Sequence, residues 1–226
     1  MASTQDMIYI YEAPVRICHW VSALSITVLA VTGYLIGSPL PSVHGEASEH
    51  FVMGYIRFAH FTAGYLLAAS MTLRIYWAFV GNRVSRQLFV VPVWRASFWK
   101  GLWTEVRWYL FLEKEPLVHL GHNPLASLAM FLMFVLGALF MIVTGFALYG
   151  EGTGEGSWAH SAFTTWVIPL FGQSQDVHTW HHLGMWYVLV FVMIHVYMAI
   201  REDIMGRSHL VSSMLNGWRY YKDDSA

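Results

Sequence analysis

Twelve histidines stand in a chain of 226 residues, and they are the side chains whose type and spacing most directly suggest chemistry. Six of them, His19, His60, His178, His181, His182 and His195, lie within or at the edges of long apolar stretches. An ionisable or strongly ligating side chain is costly inside a membrane helix, so each is a functional candidate. Neutral imidazole binds iron, zinc, copper and nickel. His44, His50, His119, His160 and His209 fall in loops or tails and read as solvated surface residues.

Spacing narrows the six. In an α-helix each residue turns about 100° and rises about 1.5 Å. His181 and His195 are 14 positions apart, which leaves them about 40° from a common azimuth and roughly 21 Å apart along the axis. One helix can thus serve two stacked haems. His182 and His178 fall about 140° and 100° from His195, so His181 is its better companion. The same interval separates His19 from Gly33 and His60 from Arg74. Each of those helices would hold one haem and pass the other, with Gly33 letting the second porphyrin approach the backbone. Arg74, and Arg57 one turn before His60, are placed to hydrogen-bond haem propionates, because a buried guanidinium needs an anionic partner. Snorkelling toward headgroups is the alternative for both.

The elements that must position these residues are membrane helices. A span needs about 20 largely apolar residues, and four such stretches occur: 17–37, 52–80 (interrupted only by Arg57 and Arg74), 124–149 and 177–200. The predicted fold is an all-α integral membrane bundle of four transmembrane helices in one domain, 1–226. Lys and Arg concentrate in the 81–123 connection and in the tail after the fourth helix, and are absent from 38–51 and 150–176. The positive-inside rule then puts both termini in the cytoplasm. Helices one and four bring His19 and His195 to the cytoplasmic depth, and helices two and four bring His60 and His181 to the opposite one. Two His–His pairs are what two six-coordinate b-haems require, and iron with both axial positions filled favours electron transfer over oxygen binding.

Between helices two and three, Trp94, Trp99, Trp103 and Trp108 alternate with cations, as expected of a segment (about 83–116) lying in the interface. The stretch Glu151–Gly156 reads as a flexible extracytoplasmic loop. Gly64, Gly137, Gly145 and Gly184 suit tight helix packing, and Met130, Met133 and Met141 suit core filling. No internal repeat is apparent. The polar N-terminus lacks the basic and apolar regions of a cleaved signal, so the first helix is expected to be retained.

Composition excludes several classes. The chain is 56% hydrophobic and only 12% charged, with a net charge of −1, which argues for lipid as solvent and against a nucleic-acid partner. A single cysteine, Cys18, excludes a disulfide framework and any Cys-ligated iron–sulfur or nickel–iron centre within this chain. No C-x-x-C-H motif is present, so covalent haem attachment is not expected. A His-lined metal ion transporter is a rival reading, weakened by the absence of intramembrane Asp or Glu.

The stretches EAPVRICHW (Glu12–Trp20), MGYIRFAHF (Met53–Phe61), RIYWAFVGN (Arg74–Asn82), WHHLGMW (Trp180–Trp186) and HVYMAIRED (His195–Asp203) closely resemble the b-type cytochrome subunit of membrane-bound, H2-uptake nickel–iron hydrogenases. More distantly they resemble the cytochrome b subunit of formate dehydrogenases, the nearer rival for function. The resemblance implies a multi-pass protein of the bacterial cytoplasmic (inner) membrane. It implies partner large and small hydrogenase subunits in the periplasm, two haem b groups ligated by His19, His60, His181 and His195, and quinone as electron acceptor. Quinone would be reduced at the end far from the hydrogenase. There the segment GHNP (Gly121–Pro124) opens helix three, offering the Asn123 amide to a quinone carbonyl and His122 as a proton source, and capping of the helix with both residues facing headgroups is the alternative.

Overall fold

A helix is the only open-chain structure that satisfies its own backbone hydrogen bonds in lipid, and the apolar stretches fold accordingly. The computed structural model describes residues 5–41, 45–46, 50–113, 121–205 and 209–222. His44, Lys114, His119 and Arg207, and the end of the expected interfacial segment at 114–116, lie outside them. In chain order the elements are strand β1 (Gln5–Tyr9), helices α1 (Ala13–Gly37), α2 (Val52–Val80), α3 (Arg83–Arg86), α4 (Ala96–Tyr109) and α5 (Pro124–Ala129). A π-helical stretch, Met130–Val135, continues α5 into α6 (Leu136–Thr153). A second one, His160–Thr164, leads into α7 (Thr165–Phe171), followed by α8 (Ser174–Met205), α9 (Leu210–Asn216) and strand β2 (Trp218–Lys222).

Four helices are long and apolar enough to cross a membrane: Ala13–Gly37, Val52–Val80, Pro124–Thr153 and Ser174–Met205. Their large outward side chains are apolar, with Leu24, Phe58 and Phe79 about 70% exposed, as a lipid-facing surface requires. The helices outrun the apolar stretches because hydrogen bonding continues after the hydrocarbon ends. α1 starts at Ala13, with Pro14 in its first turn, where the missing N–H costs nothing. Glu151–Thr153, expected as loop, form the last turn of α6, where the Thr153 hydroxyl lies 3.0 Å from the Tyr149 carbonyl. After a turn at Gly154–Ser157 the chain is helical again from Trp158, and Gly150 permits its close approach, because a Cβ there would collide with Thr164 Oγ1.

The chain divides into two compact units. The first comprises the residues up to His19, Leu73–Val135, and those from Phe191 onward. Here β1 pairs antiparallel with β2, Asp6 opposite Tyr221 and Tyr9 opposite Trp218, so the two ends of the chain share one small sheet. Ile10, Tyr11 and Val15 are buried against Trp77, Val84 and Met214. Glu12 anchors this corner: its Oε2 accepts from the Trp77 indole, the Asn82 N–H and the Ser85 hydroxyl. Burial pushes its carboxyl pKa up, but those three hydrogen bonds outweigh it and hold it below the usual carboxylate range. Arg201 donates to the carbonyls of Trp108 and Tyr109, both at 3.0 Å, and its guanidinium stacks on Trp108, Tyr109 and Phe111. Trp94, Trp99 and Trp103 are exposed, as an interfacial segment requires, whereas Trp108 is buried.

The second unit comprises Trp20–Thr72 and Leu136–Val190. Its core is Ala147, Val167 and Val177, packed with Val143, Leu148, Phe163, Ile168 and Phe171. Ser22 and Ser70 exchange a buried hydrogen bond of 2.9 Å between α1 and α2.

Candidate haem sites

In the second unit the ring of His60 on α2 faces that of His181 on α8, with centroids 6.5 Å apart and planes at 70°. In the first unit His19 on α1 faces His195 on α8, at 6.3 Å and 52°. A metal–imidazole bond is about 2.0–2.1 Å, and the nitrogen lies roughly 1.1 Å from its ring centre. Two imidazoles on opposite sides of one metal ion therefore have centres about 6.3 Å apart. Both pairs sit at that separation.

The two histidine rings of the second unit are seated in matching cups. Thr32 Oγ1 lies 2.9 Å from His60 Nδ1, and a Cβ added to the adjacent Gly33 would meet His60 Cε1 at 3.2 Å. Thr144 Oγ1 lies 2.8 Å from His181 Nδ1, and a Cβ at Gly145 would meet His181 Cε1 at 3.3 Å. Threonine orients each ring and glycine leaves room for its edge. The cups lie in the tetrapeptides VTGY (Val31–Tyr34) and VTGF (Val143–Phe146), a short repeat that escapes a sequence search because four residues recur by chance. Gly145 is therefore a ligand-ring contact in addition to a packing glycine, while Gly137 and Gly184 face Tyr187 and Met141. The neighbouring His182 is used differently: its Nε2 accepts from the Trp186 indole at 3.3 Å. His178 is exposed.

The first unit holds its pair by other means. Phe134, on the π-helical stretch of the third span, stacks on Phe191 at 5.7 Å, and Phe191 stacks on His195 at 5.5 Å. A π-turn re-aims a side chain that a regular helix would place elsewhere, which is why such turns mark functional sites. Arg74 is 7% exposed, lies 5.4 Å from the Phe89 ring, and its Nη1 has no hydrogen-bond partner among the described residues. A buried guanidinium with a vacant donor calls for an anion. Arg57 is exposed on the second unit's part of α2.

Of the two roles expected for the GHNP segment, Asn123 takes the capping one. Asn123 is the N-cap of α5, its Oδ1 accepting from Ala126 N at 2.7 Å, and its amide nitrogen reaches Glu105 Oε2 at 3.5 Å. Its polar atoms are thus engaged within the protein. The His122 N–H donates to Gln87 Oε1 at 3.0 Å, and its ring lies edge-on to Tyr11 at 6.3 Å. Its buried Nδ1 has no partner among the described residues. Burial, followed by the nearby Arg74, His195 and Arg219, holds its pKa at about 4. The expected proton source is therefore a neutral imidazole at pH 7. Arg219 secures the segment by donating to the Gly121 carbonyl at 3.1 Å and pairing with Glu202 at 3.1 Å.

The donor set fits haem: paired imidazoles at a metal-bridging separation, glycine cups beside two of them, and an orphaned buried guanidinium for a propionate. The family model described as prokaryotic cytochrome b561 matches residues 10–217. A probable Ni/Fe-hydrogenase B-type cytochrome subunit of Azotobacter chroococcum mcd 1 is 67% identical, covering 97% of this chain and 91% of its own. One of Cupriavidus necator is 60% identical over 95% and 88%. The probable Ni/Fe-hydrogenase 1 B-type cytochrome subunit of Escherichia coli K12 is 55% identical over 95% and 91%. With a match over nearly its whole length and four apolar spans, the chain belongs to the prokaryotic cytochrome b561 family of multi-pass membrane b-type cytochromes.

Proposed function

We propose that this chain is the membrane cytochrome of a nickel–iron hydrogenase, holding two haem b groups and carrying electrons from H2 oxidation to quinone. The observation that carries this reading is the pair of imidazole pairs at 6.3 and 6.5 Å. Bound between such rings, haem supplies a one-electron carrier whose axial positions are closed to oxygen. His60 and His181 would hold the group nearer the periplasm, where large and small hydrogenase subunits dock and anchor to the membrane. His19 and His195 would hold the group nearer the cytoplasm. Arg74, and less directly the exposed Arg57, would receive propionates. The printed names of the relatives favour a hydrogenase over a formate dehydrogenase as partner.

Quinone would be reduced beside the His19–His195 pair, because the other end of the path is covered by the hydrogenase. His122 Nδ1 is the group free to hydrogen-bond a quinone oxygen there, while Asn123 keeps the segment folded through its cap. Both termini and the basic connections would face the cytoplasm.

The test uses the purified complex. Haem content should be close to two per chain with low-spin b-type spectra. His60→Ala and His181→Ala should each remove one haem, and His19→Ala and His195→Ala the other, while His182→Ala retains both. H2-driven quinone reduction should fall in His122→Ala with haem content and artificial-acceptor activity intact. One haem per chain, or loss of haem from His182→Ala but not from His181→Ala, would overturn the ligand assignment.

A further inference from the structure

Thr32 and Thr144 sit on different spans, α1 and α6, yet present the same chemistry to the two facing rings of the second unit. Each hydroxyl has one proton and one close carbonyl to give it to: Val28 O at 2.6 Å from Thr32, and Phe140 O at 2.7 Å from Thr144. With that proton committed, each hydroxyl oxygen can only accept from its histidine. His60 and His181 therefore carry hydrogen on Nδ1 and donate it, at 2.9 and 2.8 Å. Both Nε2 lone pairs are left for iron. Donating the Nδ1 hydrogen builds electron density on the ring and makes Nε2 a stronger base, and a stronger axial donor favours oxidised over reduced iron.

We propose that Thr32 and Thr144 are positioning residues that fix the tautomer of both ligands and lower the reduction potential of the haem held between His60 and His181. This rests on the two-haem reading above. The adjacent Gly33 and Gly145 complete the device by letting each ring approach its threonine. His195 is seated against the face of Phe191 instead, so the haem of the other pair serves as an internal reference. A lowered potential where electrons from H2 enter means that each is handed onward and not held at the entry site.

The experiment is a spectroelectrochemical titration of the purified complex carrying Thr32→Val, Thr144→Val, Thr32→Ser or Thr144→Ser. Two haems per chain and two resolved transitions are expected in the unmodified protein. Each valine variant should move one transition to higher potential and leave the second in place, the double valine variant should move it further, and serine should leave both unchanged. Valine variants with unmoved transitions, or serine moving the potential as far as valine, would overturn the proposal. One haem in the unmodified protein would instead overturn the two-haem reading. Pulsed electron–nuclear spectroscopy of the oxidised unmodified protein gives a measurement independent of any variant's folding. Every imidazole bound through Nε2 carries hydrogen on Nδ1, so the reading is the coupling: the solvent-exchangeable Nδ1 protons on both ligands of one haem are expected to show the couplings of strongly hydrogen-bonded imidazole, and couplings of imidazole without an acceptor there would equally overturn the proposal.

Discussion

At the scale of single residues, geometry separates side chains that sequence treats alike. An alanine Cβ at Gly145 would lie 3.3 Å from the His181 ring, whereas nothing lies within 4 Å of one at Gly64. Gly145→Ala should therefore displace the ring from Thr144 and lower haem content in a pyridine haemochromogen assay, while Gly64→Ala, at an open helical position, should leave it unchanged. His122 carries a pH dependence. Its pKa falls from 6.5 to about 4 on folding, so its contribution to stability is fully present above about pH 6.5 and is lost as pH falls toward 4, where the unfolded chain takes up the proton first. The total is about 3 kcal/mol. Thermal unfolding of the detergent-solubilised protein at several pH values should show this slope, and His122→Phe should flatten it. The histidines stood out as candidates by type and spacing, because an imidazole is costly in an apolar stretch unless it binds something there. Thr32 and Thr144 were not, since a helical threonine bonded to its own preceding turn is ordinary, and only the ring opposite gives its oxygen a second use.

At the scale of elements, Arg201 ties α8 to the end of α4. Arg201 gives two hydrogen bonds to the last carbonyls of α4 and lies against three aromatic rings. This complements the negative end of that helix dipole. Charged hydrogen bonds of this kind contribute about 1.5–3 kcal/mol each. Arg201→Ala should therefore lower the unfolding temperature and expose α4 to limited proteolysis, and Arg201→Lys should restore little of it, because an ammonium lacks the planar fork that reaches both carbonyls and stacks. Unchanged proteolysis in Arg201→Ala would show that α4 docks by its aromatic face alone. In the sequence Arg201 reads as one more cation after a span. Its partners are 92 and 93 positions away, and no local pattern points to them. The tryptophans interleaved with cations marked α4 as a candidate interfacial segment, because that pattern has a membrane-specific cause, but the burial of Trp108 against Arg201 had no such local mark.

At the scale of the whole molecule, the pairing of β1 with β2 brings both chain ends into one sheet, as an even number of spans allows. In the proposed orientation the basic connections, and this sheet with them, face the cytoplasm. A reporter active only in the cytoplasm should work when fused at either terminus, and silence at either end would reverse the orientation. The sequence by itself determined how many times the chain crosses the membrane, because lipid leaves a backbone no hydrogen-bonding partner outside its own helix. It determined also that His181 and His195 share a face of α8, because rotation per residue is a local property of the helix. Depth along the helices already paired His19 with His195 and His60 with His181, whereas only the tertiary structure decided that Thr32 and Thr144 approach the rings of one pair while Phe191 seats a ring of the other, and that Asn123 takes the capping role beside a half-buried His122. Those outcomes depend on which side chains of separate helices meet at one depth. Such packing is a property of several distant segments at once and leaves no trace in any one of them.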